Sequence, residues 1–107
     1  MLHIVLFKFY DHVTPARRTE IRQSMAGLGE RCGGAAAGIL SWAAEWNLNR
    51  KKGYELIEIA IFADEAALDA FQAHPEHVAF AQEMREVADW VVGDLHWGPE
   101  CFPTAQS

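Results

Sequence analysis

Histidine is the side chain that gains and loses a proton near neutral pH, and three of the five in this chain stand in patterned segments. His77 precedes Phe80, Ala81 and Met84 by three, four and seven residues, the spacing of one helix face. It therefore heads an apolar stripe that packs inward, a place from which an imidazole can act as general base. A core histidine bonded to a backbone carbonyl fits the same spacing. His3 alternates with Val5, Phe7 and Phe9 in an extended segment. If the last extended segment runs antiparallel beside the first, His3 comes near Asp94 and His96. A carboxylate against an imidazole sets its tautomer and raises its basicity; the other reading is a strand-end histidine with no catalytic part. His74 precedes Pro75 and is expected to cap the helix that the proline opens.

Metal chemistry is not expected. His74 and His77 are two ligands only, and neither a cysteine nor a carboxylate pair completes a zinc set. Cys32 and Cys101 lie far apart, match no metal-ligand spacing and are expected to be reduced and unbonded, as in a cytoplasmic protein. No glycine-rich phosphate loop, flavin fingerprint or nucleophile elbow is present, so no cofactor and no acyl-enzyme are expected.

The elements that must position these residues follow from pattern. The 107 residues suffice for one domain, and with half of them apolar and 22% charged the chain is not disordered. A net charge of −6 argues against nucleic acid as a partner. The one basic cluster, Arg50-Lys51-Lys52, adjoins Gly53 and reads as a solvated turn. No apolar run approaches the ~18 residues of a membrane span. Met1 to Phe9 lacks the marks of a secretory leader, so the expected location is the cytoplasm and no membrane partner is expected.

Leu2 to Phe9 reads as a strand. Thr14-Pro15 then opens a helix carrying Ile21, Met25 and Leu28, which ends in the Gly33-Gly34 and Gly38 loop. Strands follow at Ile39 to Leu48 and Tyr54 to Phe62. Asp64 caps a helix with Leu68 and Phe71, His74-Pro75 interrupts it, and a further helix carries Phe80, Met84 and Val87. Trp90 to Trp97 is the last strand. The order β-α-β-β-α-β is that of a ferredoxin-like α+β fold: a four-stranded antiparallel sheet in the order four, one, three, two, with helices on one face. The first and third strands are apolar on both faces, and one layer of helices covers only one of them. A second copy stacked sheet to sheet would cover the other, so a homodimer is expected.

His3-Ile4-Val5-Leu6-Phe7-Lys8-Phe9, the Gly53-Tyr54-Glu55 entry to the third strand, and Phe71-Gln72-Ala73-His74-Pro75-Glu76-His77 together resemble the stress-responsive A/B barrel (Dabb) family. The resemblance implies a Dabb domain over residues 1–98, a tail over 99–107 and a dimeric α+β barrel. It also offers two functions. One is a cofactor-free lyase, cyclase or isomerase for a small apolar or aromatic carbonyl compound, in which His77 matches the base of plant polyketide cyclases and His3 and Asp94 match polar pocket positions. The other is a non-catalytic ligand-binding or stress-responsive dimer. Two cyclase tyrosines correspond to Phe71 and Met25, neither of which can donate to an oxyanion. That task would pass to His3, Tyr54, a backbone N–H or water. Trp42, Phe71, Phe80 and Met84 are the apolar residues expected around the pocket, with Met25 at the second tyrosine's position.

Overall fold

A computed structural model describes residues 1–97. The strands are β1 (Leu2–Phe9), β2 (Ile39–Trp46), β3 (Leu56–Phe62) and β4 (Ala88–Leu95). The helices are α1 (Pro15–Ala26), α2 (Leu28–Arg31), α3 (Glu65–Ala73) and α4 (Pro75–Arg85), with a 3₁₀ turn at Gly34–Ala37. The sheet runs β2-β3-β1-β4 with every neighbouring pair antiparallel. This is the expected ferredoxin-like architecture.

Local chemistry starts and stops these helices. The Thr14 hydroxyl accepts from the Arg17 N–H, and Pro15 takes the first helical position, where its missing N–H costs nothing. Asp64 accepts from the Ala67 N–H at the head of α3. His74 takes the extended conformation that a following proline demands, and its Nδ1 accepts from the Glu76 N–H at 3.0 Å, capping α4.

Three details depart from the pattern reading. The stripe Ile21, Met25, Leu28 does not lie on one continuous helix, because Gly27 separates α1 from the short α2. A register shift between Ile39 and Ser41 turns Leu40 outward, and Leu48 lies beyond the end of β2, fully exposed. The last two strands sit two residues from their expected limits, β3 opening at Leu56 and β4 closing at Leu95. Cys101 and the expected tail lie outside the described residues.

The pleat gives each strand two faces. His3, Val5, Phe7 and Phe9 point inward with Leu56, Glu58, Ala60 and Phe62, beneath α1, α3 and α4. Leu2, Ile4 and Leu6 share the opposite face with Ile57, Ile59, Ile61, Val91 and Leu95. Among the described residues no element covers that face, and Ile59, Val91 and Leu95 are exposed on it.

Candidate functional site

His3 is the most enclosed titratable group of the site, 3% exposed. Cross-strand register puts it opposite Asp94 on β4 and opposite Ala60 on β3. Its Nδ1 lies 2.5 Å from Asp94 Oδ1, and its Nε2 lies 3.3 Å from Glu58 Oε2. Glu58 faces inward because it pairs with Val5, one pleat along β1, and it is 4% exposed. Burial works against the charged form of His3, but the two carboxylates outweigh it and raise the imidazole pKa above its usual 6.5.

His77, half-buried near the start of α4, is positioned by its own helix and by α3. Its Nδ1 is 3.1 Å from the Gln72 carbonyl oxygen, and its ring packs 4.5 Å from that of Phe71. A carbonyl only accepts, so Nδ1 carries a proton, and in the neutral ring the lone pair lies on Nε2. Phe71 is buried between the two histidines, 6.4 Å from the His3 ring centroid, and it also packs on Phe62 and Trp42.

A cleft of about 230 Å³ opens between the inner face of the sheet and α4. His3, Glu58 and Val92 line its sheet side, and Gln72, His77, Phe80, Met84 and Arg85 its helix side. The structure thus brings His3, Asp94, His77, Phe80 and Met84 together. Phe71 stands behind the cleft wall. The other three expected pocket residues lie elsewhere. Met25 is fully buried beneath Trp42, whose indole N–H donates to the Met25 carbonyl at 2.9 Å. Tyr54 sits at the other end of β1, with the Lys8 ammonium 5.5 Å from its ring. His96 does not join His3; it is exposed, with Nε2 3.1 Å from Glu65.

Glu58, Gln72 and Arg85 are the polar wall residues that pattern reading passed over. Glu58 left a signal: it is the one charged residue in the inward row Leu56, Glu58, Ala60, Phe62. Among the described residues no cluster of three or more histidine, cysteine or acidic groups could hold a metal.

A family model for the stress responsive A/B barrel domain matches residues 1–96. The chain belongs to the Dabb family. An uncharacterized protein of Streptomyces coelicolor is 34% identical over 98 residues, covering 89% of this chain and 97% of that one. Two solved structures resemble this Dabb domain in fold. One is a dimeric ferredoxin-like protein of unknown function from Thermobifida fusca, 24% identical with a TM-score of 0.72, covering 86% of this chain and 85% of that one. The other is the hydroxynitrile lyase of Passiflora edulis, 20% identical with a TM-score of 0.71, covering 85% and 86%.

Proposed function

We propose that this Dabb domain is a cytoplasmic homodimer whose cleft binds a small apolar carbonyl compound and acts on it, without a cofactor, as a lyase, cyclase or isomerase. The observation that carries this reading is that His3 and His77 line one cleft. His77 Nε2 is the base, taking a proton from the carbon next to the carbonyl, while its Nδ1–H is held by Gln72. Phe71 has no donor for the developing oxyanion, and both nitrogens of His3 face carboxylates. Other side-chain donors on the wall are the Gln72 amide, the Arg85 guanidinium and the Trp90 indole N–H. The cleft volume sits below the usual range for drug-sized ligands, which restricts the substrate to a few carbons or a single ring.

Homodimerisation is supported by the uncovered apolar face and by a fold neighbour described as dimeric. Among the described residues no helix is long and apolar enough to cross a membrane. The non-catalytic reading keeps one observation in its favour: both polar atoms of His3 and one of His77 already have partners within the chain.

Base catalysis is tested by deuterium exchange next to the carbonyl of a panel of small ketones and aldehydes, followed by proton NMR. His77→Ala should slow the exchange about 100- to 10,000-fold. Because the ring is only half-buried, the same change should cost roughly 1 kcal/mol of stability and leave the oligomer intact. No exchange by the native protein, together with a lowered melting temperature as the variant's only effect, would sink the enzyme reading in favour of the binding one.

A further inference from the structure

Glu58 takes no part in the chemistry proposed for the cleft, yet burying it is costly. A carboxylate withdrawn from water needs a compensating charge or hydrogen bonds, and the group it faces is His3 Nε2 at 3.3 Å. The other nitrogen of the same ring faces Asp94 at 2.5 Å. Ionised carboxylates only accept. A neutral imidazole has one N–H and one lone pair, so between two carboxylates it would turn that lone pair against an oxygen. An imidazolium donates on both sides.

We propose that Glu58 is a positioning residue that, together with Asp94, holds His3 as a doubly protonated imidazolium across neutral pH. His3 is then a fixed charge in the cleft wall, and proton transfer falls to His77 alone. The charged and titratable groups around this ring come from three elements: Glu58 on β3, Asp94 on β4, and His77 and Arg85 across the cleft on α4. The rings of Phe62 and Phe71, at 5.9 and 6.4 Å, carry no proton. Burial opposes a charge on His3; the two carboxylates outweigh it and raise the pKa. The charge state of His3 stands on this geometry, while its use in catalysis rests on the function proposed above.

The test is a long-range proton–nitrogen correlation spectrum of the histidine rings in nitrogen-15-labelled protein, titrated from about pH 6 to 8.5. Both His3 nitrogens should resonate as protonated at neutral pH. In Glu58→Gln the amide can donate to Nε2, so His3 should become neutral with its proton on Nδ1, and its titration midpoint should fall by about one pH unit or more. Glu58→Asp keeps the charge and should restore part of the midpoint. An unprotonated His3 nitrogen in the native protein at neutral pH, or a midpoint unmoved in Glu58→Gln, would overturn the proposal. If Glu58→Gln does not fold, the native spectrum decides by itself. The spectrum needs no substrate, so absent turnover leaves this result standing, and a neutral His3 leaves the His77 experiment standing.

Discussion

His3 and Asp94 are direct cross-strand partners, and the imidazole Nδ1 of one lies 2.5 Å from the carboxylate Oδ1 of the other. The contact ties the start of β1 to the end of β4, an edge strand whose residues beyond Trp90 are exposed. It also couples folding to pH. Burial lowers the His3 pKa, but Glu58 and Asp94 raise it by more, so the folded value lies above 6.5. A proton bound more tightly in the folded state stabilises fully below the unfolded pKa, and that contribution is lost as pH rises through the folded value. Urea unfolding midpoints should therefore fall as the pH rises from about 6.5 into the mildly alkaline range. His3→Gln should flatten that slope relative to the native protein; an equal slope in both would contradict it.

Ile59 stands at the centre of the uncovered face, paired with Ile4 on one side and Ala43 on the other, and is 39% exposed. Light scattering of the native protein should give twice the protomer mass. A charge at this position would have to be buried against the second sheet, at a cost of several kcal/mol. Ile59→Lys should thus give a monomer at micromolar concentration. A native monomer would show that something other than a second copy covers this sheet.

Gly29 in α2 lies against Trp42. A Cβ there would come within 2.7 Å of the indole ring, which cannot simply slide because its N–H is bonded to the Met25 carbonyl. Gly29→Ala should destabilise the fold by roughly 1–3 kcal/mol, read from urea unfolding. Trp42→Phe in the same background should recover part of that loss by giving the methyl room.

Cys32 is 3% exposed behind α2, and burial pushes its thiol pKa up despite the neighbouring Arg31 charge. The low exposure and the raised pKa both suppress the reactive thiolate. Alkylation at neutral pH followed by peptide mapping should leave Cys32 unmodified in the folded protein and modify it fully in denaturant. Rapid labelling of the native chain would mean that the α2 region opens readily.

Patterns internal to one segment were legible in the sequence. The caps at Thr14, Asp64 and His74, the inward face of α4 with His77 at its head, and strands apolar on both sides but for Glu58 all depend on spacings of two to seven residues. These follow from backbone periodicity, which distant residues do not alter. The element order followed from them, and with it the antiparallel contact of β1 and β4 that puts His3 beside Asp94.

Tertiary structure decided what each inward side chain meets. Met25 and Trp42 have the apolar character of cleft residues, but they fill the core, because α1 and α2 close over β2. Tyr54 shares a strand entry with its neighbours, yet strand direction carries it to the end of β1 away from His3. In the sequence Glu58 stands out only as the one charged residue of an otherwise apolar row. It becomes the second partner of His3 only through the register of β1 against β3, where a slip of one residue would turn it to the opposite face. Register is set by the packing of both faces and both neighbouring strands together, and no single segment contains that information.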